Sequence, residues 1–191
     1  MRTGMLCLCA VFIFCSMAQA VEFGGINIPD NLQVGSEKLV LNGVGMREKY
    51  FIDLYVGALY LTKKSSDAQK IINEDTPMAI TVHIISGLIT EERMADATED
   101  GFKSTTGGKI SKAFQEDIDL FIDAFSKSIK KGDFYQLIYI PDKGVTVWKN
   151  GKATVTVKGL EFKKVLFAIW IGKKATVNKA LNVGMLGSSK K

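Results

Sequence analysis

The pattern of apolar and polar positions is clearest in residues 41–61, where the two kinds alternate as they do along a β-strand. Every second residue over 50–60 is apolar or aromatic, so this face is expected to pack against a core. The opposite face carries Arg47 and Tyr55, and their even spacing turns both side chains the same way. The pattern predicts one long strand with a packed face and a face that holds two polar groups.

Helical periodicity appears in the middle of the chain. Apolar residues recur at three- and four-residue steps over 110–129, which predicts an amphipathic helix. Thr90 is placed to cap an earlier helix that runs to about residue 104. A shorter helix is expected over 66–73 with Ser66 as its N-cap, and a strand over 79–85.

Strands dominate again after the long helix. The predicted strands are Phe134–Ile140, Gly144–Lys149 and Lys152–Val157, and Asn150-Gly151 is a strong signal for a two-residue hairpin turn. The length of the apolar segment Leu160–Ile171 favours a buried helix, and a short helix is expected near 178–183. With one more strand over 21–28, the order predicts an α+β domain with helices layered on one side of an antiparallel sheet.

The N-terminus has the features of a secretory signal peptide. Arg2 is followed by a short apolar run, and Ala18-Gln19-Ala20 matches a cleavage site, so we expect residues 1–20 to be removed and residues 21–191 to form one domain. The three cysteines, Cys7, Cys9 and Cys15, all lie in this leader. A secreted domain without disulfides favours the bacterial periplasm.

Composition removes several kinds of site. With His83 as the single histidine and no cysteine beyond the leader, we expect no metal site, no cofactor and no histidine-based catalytic triad. We expect His83 itself to be a core or edge residue of its strand. The formal net charge is +5, but the lysines are dispersed, so no nucleic acid is expected as a partner. An anionic membrane surface remains compatible with this charge.

Arg47 and Tyr55 are the remaining candidates for chemistry. The chain has three arginines among its 25 basic residues, which makes an arginine on a strand beside a phenol notable. A guanidinium offers two parallel hydrogen bonds, a geometry that suits a planar acid or an enolate. The alternative is that Arg47 pairs with Asp53 or Glu48 on a surface strand while Tyr55 packs in the core.

Three segments resemble the chalcone isomerase-like family, in its secreted bacterial branch. They are residues 41–47 (LNGVGMR), 56–61 (VGALYL) and 167–172 (FAIWIG), and the likeness extends from about residue 38 to residue 187. The resemblance implies an open-faced β-sandwich, with a curved antiparallel sheet covered by helices. It further implies that Arg47 stabilises an oxyanion, as in plant chalcone isomerases, or holds a carboxylate together with Tyr55, as in the fatty-acid-binding members. Tyr60 is expected to be structural.

The sequence departs from the isomerases in the groups that handle protons. The family's tyrosine and asparagine are missing from residues 91–102, and its late hydroxyl residue is missing from residues 161–170. The resemblance therefore favours a non-catalytic binder of a fatty acid or similar amphipathic acid. Apolar side chains including Phe51, Leu59 and Phe102 are expected to take the tail.

Two alternatives stay open. One is an isomerase or intramolecular lyase that acts on an enolisable, flavonoid-like substrate, with Arg93 and Glu92 as candidates for proton transfer. The other is an envelope scaffold protein with a vestigial Arg47 site. The oligomeric state and the ligand's identity are left open.

Overall fold

The computed structural model describes residues 20–188, so the predicted signal peptide lies, except for Ala20, outside the described residues. Strands and helices alternate in blocks, as the pattern predicts. The strands are β1 (Ala20–Phe23), β2 (Ile26–Pro29), β3 (Asn31–Val34), β4 (Glu37–Lys49), β5 (Ile52–Leu61), β6 (Met78–Ile84), β7 (Phe134–Ile140), β8 (Gly144–Lys149) and β9 (Lys152–Val157). The helices are α1 (Ala68–Asn73), α2 (Glu91–Thr106), α3 (Lys112–Ser126), α4 (Leu160–Ile171) and α5 (Lys179–Met185).

Strands β3 to β9 form one seven-stranded sheet in which every neighbouring pair is antiparallel and consecutive in the chain. One face of this sheet shares its core with α2, α3 and α4, including the aromatic rings of Phe102, Phe121 and Phe162. The other face packs against the β1–β2 hairpin through a smaller cluster that contains Ile28 and Tyr60. The predicted α+β class, with the helices layered on an antiparallel sheet, is confirmed.

The prediction of one long strand over residues 41–61 was wrong. The chain turns back at Tyr50 and Phe51, which both adopt the left-handed conformation, with φ of 52° and 62°. Such turns normally carry asparagine and glycine, and here two aromatic residues continue the apolar pattern through the turn and hide it. Both faces of β5 are buried from Tyr55 onward, and Tyr55 and Tyr60 belong to the cores on opposite sides of the sheet.

The N-terminal part of the fold also differs from the prediction. The expected strand over 21–28 is a hairpin of two strands, and β3 carried no prediction. Asp67, rather than Ser66, caps α1 by accepting a hydrogen bond from the Lys70 amide at 3.0 Å. Strands of four residues are too short to show a clear alternation, which explains why the pattern merged or missed them.

Elsewhere in the chain, local sequence signals predicted elements that the structure contains. Thr90 caps α2 through the Arg93 amide, and the Asn150-Gly151 turn joins β8 to β9 as predicted. The segment Leu160–Ile171 is a largely buried helix. His83 is half-buried on β6 and packs against Phe134, with ring centroids 4.3 Å apart. Burial lowers the pKa of this histidine, which keeps it neutral in its packing role.

Helix α5 lies directly on β4 because glycines leave room for its backbone. The pairing of β4 with β5 shifts register between Leu41 and Gly43. A Cβ atom on Gly45 would lie 2.7 Å from Leu181 Cα in α5. The glycines of the first family-like segment therefore set the distance between the strand and the helix.

Replacing Gly45 with alanine is expected to lower the free energy of unfolding by about 2 kcal/mol, because the added methyl group forces α5 away from the strand. The melting temperature should fall by about 6 °C. Gly87→Ala is the matched control, since a Cβ atom added there would have no neighbour within 4 Å and the φ of Gly87 is not positive. Equal melting temperatures for the two variants would contradict the close approach.

Candidate functional site

A cavity of about 860 Å³ opens between the end of the β4–β5 hairpin, α2, α4 and residues 176–177. Its wall is mixed in character. The apolar part includes Leu54, Ile89, Met94, Ile169 and Val177. The polar part includes Arg47, Tyr55, Arg93, Asp96, Asp100 and Thr176. The two residues that the sequence singled out, Arg47 and Tyr55, therefore lie in the same cavity wall.

Arg47 and Tyr55 face each other across neighbouring strands. They are directly paired in the register of β4 and β5, so their side chains project from the same side of the sheet. Their even spacing predicted that they share one face of a single strand. The structure brings them together as a cross-strand pair.

The backbone on both sides of Arg47 is held by Asn178, the residue that precedes α5. Its side-chain oxygen accepts a hydrogen bond from the Glu48 amide at 3.3 Å, and its side-chain nitrogen donates to the Met46 carbonyl at 3.1 Å. Asn178 therefore positions the strand segment that presents the guanidinium. In the sequence, Asn178 shows only the start of a predicted short helix.

The guanidinium of Arg47 is half-buried and carries no ion pair within residues 20–188, since no carboxylate oxygen there comes within 4.0 Å. The expected alternative, pairing with Asp53 or Glu48, is absent from the described structure. Glu48 and Asp53 lie opposite each other in the register of β4 and β5, and neither residue lines the cavity. The charge of Arg47 is thus left for a group that enters the cavity.

Tyr55 is 7% exposed, and its hydroxyl accepts a hydrogen bond from the indole nitrogen of Trp170 at 3.1 Å. Burial raises the pKa of this phenol to about 12, against a smaller lowering by Arg47. Because the indole only donates, the hydroxyl keeps its proton, and no acceptor for it is found in the described part of the chain. Tyr55 can therefore donate that proton to a ligand.

The prediction of which apolar residues surround a ligand tail was wrong. Phe51 is 98% exposed at the tip of the β4–β5 hairpin, because the turn that the pattern concealed places it there. Leu59 and Phe102 are fully buried in the core and do not line the cavity. The apolar wall comes mainly from α2, α4 and the residues beside them.

Helix α2 contributes three charged side chains to the wall, and two of them carried no predicted role. Asp96 and Asp100 line the cavity, and with Arg93 they recur at three- and four-residue steps, a signal that could have grouped them. Arg93 donates a hydrogen bond from its guanidinium to the Leu88 carbonyl at 2.9 Å. Glu92, the other candidate for proton transfer, is exposed and is not part of the wall.

Within residues 20–188, the His, Cys, Asp and Glu side chains form no group of three that could hold a metal ion. In the same range, no helix combines the length and the apolar character that a membrane crossing requires.

Comparison with known proteins places this arrangement in context. The Arabidopsis thaliana fatty-acid binding protein AtFAP1 superposes with a TM-score of 0.68 at 18% sequence identity, and the match covers 88% of this chain and 96% of that one. At that identity the likeness shows the fold, and it confirms the predicted open-faced β-sandwich of the chalcone isomerase type. None of the curated proteins matches the sequence. The family model described as chalcone isomerase-like matches residues 20–187, and the chain therefore belongs to the chalcone isomerase-like family.

Proposed function

We propose that this protein is a non-catalytic binder of a fatty acid or a similar amphipathic acid, and that it works in the bacterial periplasm. The observation that carries the proposal is the pair formed by Arg47, which has no carboxylate partner in residues 20–188, and Tyr55, whose proton is unused there. Together they offer a positive charge and a neutral donor on one side of a cavity whose remaining wall is part apolar and part polar.

The chemistry of this pair favours a carboxylate. Arginine can donate two parallel hydrogen bonds to the two oxygens of an acid. The Tyr55 hydroxyl is already held by Trp170 before a ligand arrives. The cavity volume of about 860 Å³ lies within the usual range of small-molecule sites, roughly 300–1,000 Å³. The structural neighbour AtFAP1 is described as a fatty-acid binding protein, which supports the same ligand class.

An isomerase that uses the same cavity is the alternative. It would need a group that exchanges protons near neutral pH beside Arg47. Tyr55 is unsuited to act as a base because burial raises its pKa to about 12, and Glu92 lies outside the cavity wall. A binder needs only the donors that are present, whereas turnover would need a carboxylate of the wall, Asp96 or Asp100, to take the proton, and for this reason we favour binding.

Native mass spectrometry of residues 21–191, purified from the periplasm, tests the proposal. We expect an adduct with the mass of a long-chain acid, which solvent extraction removes and added palmitate restores. A ligand-free spectrum, together with no binding of saturated acids of 8 to 18 carbons in calorimetric titrations, would reject the proposal. Turnover of an added chalcone would favour the isomerase instead.

Tyr55→Phe is expected to weaken acid binding by about 5- to 10-fold, because it removes one neutral hydrogen bond, worth about 1 kcal/mol, from the head group. In the wild-type protein, ionisation of Tyr55 should not weaken the binding of the acid between pH 7 and pH 10. Its pKa is raised to about 12, so the phenolate that would repel a carboxylate forms only above that range. Calorimetric titration with palmitate across this range measures both effects, and an unchanged affinity in Tyr55→Phe would remove the tyrosine from the site.

A further inference from the structure

The exposed large apolar side chains of the protein are concentrated at the mouth of the cavity. Four of the six found in residues 20–188 lie there, and we call them the rim patch: Tyr50, Phe51, Ile52 and Leu88. Tyr50, Ile52 and Leu88 line the opening, and Phe51 projects from the hairpin tip between two of them. Tyr50 is 82% exposed and Leu88 is 50% exposed, so neither is held in a core.

Local folding does not account for the aromatic residues of the rim patch. Tyr50 and Phe51 occupy a two-residue turn with φ of 52° and 62°, a conformation that bulky side chains rarely adopt. The same protein joins β8 to β9 with an equivalent turn, where Asn150 and Gly151 have φ of 50° and 79°. Residues suited to this turn are thus used at one hairpin and avoided at the other. An unfavourable choice in an exposed place points to a role in binding.

We propose that the rim patch inserts into the headgroup region of an anionic lipid bilayer, so that the cavity opens onto the membrane surface. A tyrosine beside a phenylalanine is a combination typical of side chains that settle at a membrane interface. Lys49 reinforces this, since its ammonium lies over the Tyr50 ring, 5.6 Å from the centroid, where it can meet lipid phosphates.

Charge around the rim is mixed, and the attraction to an anionic surface comes from Lys49 at the tip and from the net charge of the chain. Lys49, Arg47 and Arg93 all line the cavity, and the chain as a whole carries a formal net charge of +5. Glu48 and Asp53 are exposed on the same hairpin, one residue further from the tip than Lys49 and Ile52 and outside the cavity wall. Asp96 and Asp100 contribute negative charge from α2, inside the wall.

The shape of the tip also favours lipid over a protein partner. A two-residue turn projects single side chains, whereas a stable protein interface needs roughly 800 Å² from each partner. A fluid headgroup layer can close around an isolated Phe51 without a complementary surface. Membrane contact would let an amphipathic acid pass between bilayer and cavity without crossing water, and this step rests on the proposed function.

The test uses Phe51→Gly, which brings the turn closer to the Asn150-Gly151 sequence and therefore should not lower the melting temperature. We expect the wild-type protein to sediment with vesicles of phosphatidylglycerol and phosphatidylcholine in a 1:1 ratio. The variant should need at least 10-fold more lipid for the same bound fraction. Leu120→Asn is the matched control and should sediment like the wild type, because Leu120 is an exposed apolar residue of α3 outside the cavity wall.

A second variant gives a direct signal. Phe51→Trp places an indole at the tip, and its fluorescence emission should shift to shorter wavelength when the same vesicles are added. No shift in this variant, or equal sedimentation of the wild type and Phe51→Gly, would overturn the proposal. A wild-type dimer that Phe51→Gly converts to monomers, seen by analytical ultracentrifugation, would overturn it in favour of a second copy as the occupant.

Palmitate titration without vesicles separates this inference from the proposed function. Phe51 does not line the cavity, so Phe51→Gly should bind the acid like the wild type. Vesicle binding that depends on Phe51, with no acid bound by either protein, would reject the proposed function and keep the membrane contact. Acid binding without vesicle binding would keep the proposed function and reject the membrane contact.

Discussion

Arg47→Ala is expected to weaken the binding of a long-chain acid by about 10- to 100-fold and to leave the fold intact. A hydrogen bond that involves a charged group contributes about 1.5–3 kcal/mol, and the guanidinium can form two with one carboxylate. The fold should tolerate the change because no carboxylate of residues 20–188 pairs with Arg47, so the change orphans no buried partner. Palmitate titration and thermal melting measure the two effects.

Two further variants separate the geometry of Arg47 from its charge. Arg47→Lys keeps the charge but loses the planar fork, so its affinity should fall between those of the wild type and Arg47→Ala. Lys103→Ala removes one positive charge from α2, at a residue that pairs with Glu99 at 2.7 Å and lies outside the cavity wall. It should bind palmitate like the wild type. Equal losses in Lys103→Ala and Arg47→Ala would show that only the overall charge matters.

The grouping of Arg47 with Tyr55 could be predicted from the sequence, although its geometry could not. Even spacing within a supposed single strand puts both side chains on one face. The observed hairpin does the same through a direct cross-strand pair. The turn itself was hidden because Tyr50 and Phe51 are neither asparagine nor glycine. A local departure from turn chemistry thus concealed the feature that we connect with membrane contact.

Elements with strong local signals were predictable, and contacts between distant residues were not. Thr90 and Asn150-Gly151 act within a few residues of themselves, so the sequence shows their roles directly. Trp170 meets Tyr55 across 115 positions of the chain, and Asn178 meets Met46 across 132. Nothing in the periodicity around either residue indicates which partner the fold will bring to it. The pair of Arg47 and Tyr55 could therefore be predicted from the sequence, but the contacts of Trp170 and Asn178 with their partners could not.

The contacts of Lys163 in the core could not be predicted from the sequence either. It lies on α4 among apolar residues and is fully buried, although its sequence context resembles the other lysine pairs of the chain. Its ammonium donates hydrogen bonds to the carbonyl oxygens of Ile71, Ile72 and Glu74 at 3.0, 2.9 and 2.6 Å. These carbonyls belong to the end of α1, where helices leave acceptors unpaired. Lys163 therefore joins α1 to α4 by satisfying them.

The charged form of Lys163 persists despite its burial. Burial lowers the pKa of this amine to about 8, and the nearby Asp75 and Glu74 act in the opposite direction. The protonated amine still dominates at neutral pH. The ring of Tyr139, whose centroid lies 5.4 Å from the ammonium, adds a favourable contact. The hydroxyl of this tyrosine donates to Asp75 at 2.6 Å, so the lysine belongs to a wider polar group beneath α1.

Lys163→Met is expected to lower the free energy of unfolding by about 3 kcal/mol, which corresponds to a fall of about 10 °C in melting temperature. Methionine has a similar shape but no donor, so the change leaves three carbonyl acceptors of α1 without their partner in a dry environment. Lys164→Met is the matched control, because Lys164 pairs only with the largely exposed Glu161 and its loss should cost less than about 1 kcal/mol. Urea denaturation of the two variants measures the difference. Similar midpoints would mean that water replaces the ammonium at the end of α1, and that the buried lysine tolerates its environment rather than stabilising it.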